Sequence, residues 1–453
     1  MNKHWQTILL VLIGLIFSVF YLQSVFRWWF EDDPIQLHYV AQIKNPIDIF
    51  IDPNVVAGFG TGKAIVPMQI LSYWIDVFLF GYNPAAIYIH SLISLLLTLA
   101  VMHIALQHWT QDKIAAFGGV ILWLLLPTTI ATHMFISTRH YIEGLFFGLL
   151  MCCIVQRFGE RKEQNVRLLI LIALSGITAM LFKEIYAALV VTFLMLTGIH
   201  KRRFSLIILS AVLTVFYASY RLLLVGYDVS YTMPFLGFRE YLKYLAILPY
   251  TFSANIGGYL VYAGIALLTA ILIKRYKTGE SLFFFLLVSA ALAAIYPVAF
   301  AVLETYETPG TWYRAPFIIN TLFAMWLVYL IPRTFPKKLI IAGATAILIV
   351  LPGTYRTRQY WDGRLTRAEA EGKFYLENPD KLIYSEEDAE WFIPGVHTMY
   401  QVPQKHYVNK QSVPSEKARL MAEKYPTIWR YQDGHYVPDD ALYKKIQEET
   451  GAK

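Results

Sequence analysis

The stretch ILLVLIGLIFSVFYLQSVFRWWFEDDP, residues 8–34, decides what kind of protein this is. Ile8 to Phe26 is almost unbrokenly apolar, and a helix needs about 20 such residues to cross a bilayer. Arg27-Trp28-Trp29-Phe30 follow as the belt expected at a membrane–water boundary. Three acids, Glu31, Asp32 and Asp33, then stand together before Pro34. Adjacent carboxylates raise one another's pKa, which suits a base poised near neutral pH. The plainer reading is a solvated acidic loop.

Composition extends the membrane reading to the whole chain. Of 453 residues, 57% are hydrophobic and only 16% are charged, against about a quarter charged in soluble domains. The mean hydropathy is +0.45. The two cysteines, Cys152 and Cys153, are adjacent in an apolar run; they read as packing residues and not as a staple or a metal site. No small-residue cleavage site follows the first span, so it is expected to be retained. The net charge is +7, yet the region Tyr355–Lys453 holds 15 basic and 16 acidic residues and the remainder 24 and 16. The excess sits in short loops between spans, where it sets topology. No nucleic-acid partner is expected.

Eleven spans are predicted, at about 8–26, 86–107, 114–128, 141–156, 168–182, 185–199, 204–222, 257–273, 280–303, 316–331 and 339–354. With the N-terminus cytoplasmic, the short inside loops hold the basic clusters Arg161-Lys162, Lys201-Arg202-Arg203, Lys274-Arg275 and Lys337-Lys338. That orientation puts the three acids, the long loops 27–85 and 225–256, and the C-terminal region outside the cytoplasm, in a multi-pass protein of the inner (plasma) membrane. Within the first long loop, Val66–Phe80 is apolar around Trp74 and Asp76 and reads as a helix along the membrane surface. Gly58 to Lys63 has the wrong spacing for a phosphate loop. Composition changes after Thr354. Residues 355–453 read as a small α/β or α+β domain, with a hairpin around Asp433-Gly434 and a last helix capped by Asp439 or Asp440. The expected fold is an all-α polytopic membrane domain, 1–354, carrying this extracytoplasmic domain.

Four segments in order carry a family likeness: the acids after the first span; Pro84–Leu106, with His90-Ser91-Leu92-Ile93-Ser94; Trp123–Phe147, with His133, Ile136-Ser137-Thr138-Arg139 and Glu143; and Ala179-Met180-Leu181-Phe182-Lys183-Glu184. Together they resemble the GT-C superfamily of integral membrane glycosyltransferases, in particular the branch holding protein O-mannosyltransferases. The likeness covers about residues 8–335. It implies a sugar donor carried on polyprenyl phosphate and a reaction on the extracytoplasmic face. The acceptor would be an envelope glycan, lipid or protein. A first-loop carboxylate would serve as general base, with Asp32 preferred over Asp33, whose backbone Pro34 restricts, and Glu31 beside them. A divalent cation at Asp32/Asp33 stays open.

A phosphate leaving group calls for cations near the outer face. Arg139, Lys183 and Arg314 stand where the topology demands them, with His140 as a further donor. Glu143, one turn after Arg139, would orient it, and Glu184 adjoins Lys183. The plainer reading of each cation is a side chain reaching to lipid headgroups. One departure is Thr311-Trp312-Tyr313-Arg314-Ala315-Pro316, which keeps the aromatics and proline of a late-span motif but moves its arginine. Other readings are a transporter or flippase of lipid-linked sugars, and an O-antigen-type polymerase or ligase.

Overall fold

The computed structural model describes residues 3–59, 65–134, 136–160, 165–226, 238–276, 316–334, 339–385, 392–409, 420 and 425–450. Among these, five helical stretches are long and apolar enough to cross a membrane: Thr7–Phe26, Pro84–Thr110, Ile136–Gly159, Phe204–Val225 and Phe317–Thr334. Two more form as bent pairs, Lys113–Leu124 with Pro127–His133 at 59°, and Leu242–Ser253 with Gly257–Leu272 at 105°. Val166–Phe182 and Glu184–His200 are shorter apolar helices. Leu96, Leu97, Ile104, Ile170 and Leu174 point outward, as a lipid-facing surface requires. The protein is a multi-pass membrane protein. The predicted spans lie on helical stretches, the one at 114–128 on a broken pair, and 280–303 lies outside the described residues.

Several departures from the sequence reading have local causes. The span predicted at 114–128 ends at Leu124 and restarts at Pro127, because Leu126, preceding a proline, is extended (φ −63°, ψ 131°). Part of the long loop 225–256 is a helix, Phe238–Ser253. Tyr244, Leu248 and Phe252, spaced four apart, are all buried, which is the stripe an amphipathic helix presents. Pro67–Phe80 is helical and buries Gln69, Ile70, Tyr73 and Asp76 on one side.

The compositional change at Tyr355 falls inside one continuous helix, Leu339–Glu377, of 39 residues. Beyond it lies a four-stranded sheet of order β2-β1-β3-β4: β1 Leu382–Ser385, β2 Tyr407–Asn409, β3 Ile428–Gln432 and β4 His435–Pro438. β1 runs parallel to β2 and β3, and β3 and β4 are antiparallel. Asp433 and Gly434 take φ 50° and 90° in the β3–β4 turn, where residues of this kind suit a tight hairpin. Asp439 caps the last helix, Asp440–Thr450, by accepting from the Leu442 N–H at 2.9 Å. Leu382, Val408, Leu420, Tyr425, Ile428 and Ile446 form the small core of this region.

The C-terminal region packs directly on the first loop. Helix Phe392–Met399 lies against helix Asp33–Ala41. The approach is close enough to require glycine: a Cβ on Gly395 would stand 3.0 Å from the Ile35 backbone nitrogen, and one on Gly372 only 2.0 Å from the Trp28 ring.

Candidate functional site

The three acids occupy a turn that the surrounding structure over-determines. Arg27 leaves the first helical stretch in extended conformation, and Glu31 takes φ 45°, which L side chains rarely adopt. Asp33 opens helix Asp33–Ala41, with Pro34 in the first turn, where a missing N–H costs nothing. The Asp33 side chain is 1% exposed. Its Oδ2 accepts from Phe30 N–H at 3.1 Å and its Oδ1 from Ser137 N–H at 2.8 Å. Asp33 thus ties the loop to the turn Ile136–Thr138, which leads straight into helix Arg139–Glu160. Burial pushes Asp33 up to about 8, against these two N–H groups, which favour the carboxylate. Asp32 and Glu31 are partly exposed.

Aromatic side chains wall the turn. Trp29 is buried and donates to the Tyr400 hydroxyl at 2.9 Å. Phe30 meets Trp361 edge-on at 5.8 Å, and Trp28 stacks on Tyr400 at 6.2 Å. Arginines enter from helix Leu339–Glu377 and from Arg27. Arg27 pairs with Asp362 at 2.6 Å and donates to Thr366 at 3.0 Å. Arg358 pairs with the other Asp362 oxygen at 2.8 Å. Arg364 stands 3.7 Å from Glu31 Oε1.

The expected phosphate-binding residues are placed differently. Arg139 is 1% exposed and held by two carboxylates, Asp76 at 2.6 Å and Glu143 at 3.1 Å. It also donates to Ser72 Oγ at 2.8 Å and lies 5.0 Å over the Tyr73 ring. Glu143 accepts in addition from Ser72 and Ser94, and His90 binds Asp76 at 2.6 Å. Burial raises Asp76, but the Arg139 charge and the His90 hydrogen bond outweigh it and hold its carboxyl below its ordinary value. Arg139 therefore faces carboxylates of its own chain and not the surface. His140 is buried beside the Tyr141 ring. Lys183 sits between two helices, 5.6 Å over the Tyr141 ring. Glu184 pairs with Arg221 and accepts from Ile65 N–H at 3.4 Å. Arg314 lies outside the described residues. No group of three or more His, Cys, Asp or Glu able to hold a metal ion occurs among the described residues.

Sequence reasoning passed over Arg358, Trp361 and Arg364 because the composition change at 355 separates them from the membrane helices. The available signal was the recurrence of Arg356, Arg358, Arg364 and Arg367 directly after the last predicted span, on the side assigned to the acids.

No protein-family model matches the sequence, and no curated protein is significantly similar to it. The structure is similar to the crystal structure of ArnT from Cupriavidus metallidurans bound to undecaprenyl phosphate, with TM-score 0.54 and 12% identity, covering 97% of this chain and 98% of that one. Against the apo state of the same protein the TM-score is 0.53 and the identity 14%, covering 99% and 91%. The chain shares the fold of these ArnT structures along nearly its whole length.

Proposed function

We propose that this protein is a membrane glycosyltransferase that moves a sugar from a polyprenyl-phosphate carrier to a hydroxyl on an envelope glycan, lipid or protein at the extracytoplasmic face. The observation that carries the reading is the acid turn directly after the first membrane helix. It is fastened by Asp33 and ringed by arginines, in a chain with the fold of a protein whose crystal structure holds undecaprenyl phosphate. Asp32 acts as general base, because it is partly exposed while both oxygens of Asp33 accept backbone N–H groups. The acceptor oxygen gives its proton to Asp32 and forms a bond to the anomeric carbon. The bond from that carbon to the phosphate oxygen breaks, and the electron pair leaves with polyprenyl phosphate. Asp33 positions Asp32. Arg139, with Asp76, Glu143 and His90, braces the helices beneath the turn. The basic short loops support a cytoplasmic N-terminus, with the turn and the C-terminal region outside.

A transport reading draws on the same buried charges, since ionisable groups within membrane helices often mark a translocation path. The two separate in one experiment: mass spectrometry of polyprenyl-phosphate sugars and surface glycans from a deletion strain, complemented with wild type or with Asp32→Asn. Transfer predicts that both the deletion and the Asn variant lack one sugar and accumulate one lipid-linked monosaccharide. Restoration of normal glycans by the Asn variant rejects Asp32 as base and favours transport.

A further inference from the structure

The ion pairs around Arg139 border a cavity of about 260 Å³ between helices Pro67–Phe80, Pro84–Thr110 and Arg139–Glu160. That is room for far more than one water, whose share of liquid volume is about 30 Å³. Its apolar walls include Ile75 and Leu97, which are 39% and 49% exposed, so it opens on the lipid-facing surface. Its polar wall is Ser72, His90, Ser94 and Glu143. Glu143 is 6% exposed. Its Oε1 meets Ser72 at 3.1 Å, Ser94 at 3.2 Å and Arg139 at 3.1 Å, while its Oε2 has no hydrogen-bond partner. His90 Nδ1 stands 2.6 Å from Asp76 Oδ1, so the neutral ring donates there and presents Nε2 as an acceptor. That Nε2 lies 3.5 Å from Glu143 Oε1, beyond an ordinary hydrogen bond. With His90 neutral, Asp76 and Glu143 carry two negative charges against the single positive charge of Arg139. A buried carboxylate oxygen without a donor is costly, and a buried charge without a counter-charge is more so. The group that completes this wall brings N–H donors and a positive charge, and it arrives from the lipid.

We propose that this cavity binds the ethanolamine headgroup of an aminophospholipid that enters sideways from the membrane, with the ammonium donating to Glu143 and to His90 Nε2. The Glu143 carboxylate meets the ammonium by turning about its terminal torsion, which is a soft one. The acyl chains stay at the lipid surface along Ile75 and Leu97. A primary ammonium supplies both missing quantities, with three N–H donors and one positive charge. A quaternary ammonium carries the charge without the donors, and an anionic headgroup adds to the negative excess. Lipid bound here joins helix Pro67–Phe80 of the first long loop to the helices of the membrane domain. The assignment stands on the cavity and its charges, and is independent of sugar transfer.

The test titrates the purified full chain, delipidated in neutral detergent, and reads binding by native mass spectrometry. The probes are phosphatidylethanolamine, its mono- and dimethyl derivatives, phosphatidylcholine and phosphatidylglycerol with matched acyl chains, and free ethanolamine is the competitor. Wild type is expected to bind phosphatidylethanolamine about tenfold tighter than phosphatidylcholine, the size of one charge-assisted hydrogen bond, with affinity falling at each methylation. Glu143→Gln removes that preference. Leu97→Trp fills the cavity while leaving Ser72, His90, Ser94 and Glu143 in place, and it removes the preference too. Equal binding of phosphatidylethanolamine and phosphatidylcholine by wild type overturns the proposal, as does a stronger hold on phosphatidylglycerol. A preference that survives either variant places the aminolipid elsewhere on the protein and overturns it. Free ethanolamine competing at the same concentration as the lipid assigns the site to a soluble amine and overturns it as well. Size-exclusion profiles establish which variants fold, and Leu97→Trp decides by itself where Glu143→Gln does not.

Discussion

Two arginine–carboxylate constellations meet at one hydrogen bond, from Ser137 N–H to Asp33, and they are built on opposite terms. On one side Arg139 is enclosed, with two carboxylates at 2.6 and 3.1 Å and a serine at 2.8 Å. On the other, Arg364 faces Glu31 at 3.7 Å from a partly exposed aromatic cradle. Removing one partner of an enclosed pair strands a charge where water cannot reach it, at a cost of roughly 3–5 kcal/mol. A partly exposed pair contributes about 0–1 kcal/mol and exchanges readily. The contrast separates an enclosed brace from an open pair: Arg139 is held by carboxylates of its own chain, whereas the Arg364–Glu31 pair is partly exposed.

The largest expected effect tests the turn on which both constellations converge. Asp32→Asn should lower sugar transfer by about 10²–10⁴-fold, the range of a general base, with the unfolding midpoint unchanged. Transfer from a lipid-linked donor in detergent measures it, and near-normal activity would remove Asp32 from the mechanism. Arg139→Met comes next, with a stability loss of roughly 3–5 kcal/mol read by denaturant or thermal unfolding in detergent. Adding Glu143→Gln should recover part of that loss, because it neutralises a stranded carboxylate; a further loss would contradict the brace.

Asp33 provides a test in pH. The folded protein holds its proton to about pH 8, whereas the ordinary carboxyl value is 3.8. The folded state therefore binds more protons than the unfolded chain between these values, and wild-type stability falls as pH rises through that window. Asp33→Asn exchanges no proton at this position. Its unfolding midpoint should gain steadily on that of wild type from pH 5 to pH 8, and a constant difference would show that Asp33 is ionised throughout. The smallest effect belongs to Glu31→Gln, expected to change stability by less than about 1 kcal/mol. A loss as large as that of Arg139→Met would mean that the two constellations are built alike.

Much of the fold was legible from residues alone. Hydropathy places the helices, Asp433-Gly434 places the β3–β4 turn, and Asp439 caps the helix that follows it. These are sums over neighbours in sequence, and apolar runs and turn residues report them directly. The break at Leu126 was readable too, since Pro127 stands in plain view. The site was legible only in part. The acid turn announced itself by position, but Asp76 looked like an incidental charge on a surface helix, and Arg364 lay beyond a compositional boundary that the continuous helix Leu339–Glu377 ignores.

The sequence by itself determined that this is a membrane protein, where its helices run, and that three carboxylates stand at the mouth of the first one. Only the tertiary structure decided which charges meet. Asp33 finds Ser137 across 104 positions, Arg139 finds Asp76 from a separate helix, and Glu31 finds Arg364 from the far end of the chain. Helix formation and membrane burial depend on neighbouring residues, so a local pattern suffices to state them. The worth of a charge depends on what surrounds it once water is removed, and that is settled when distant helices pack.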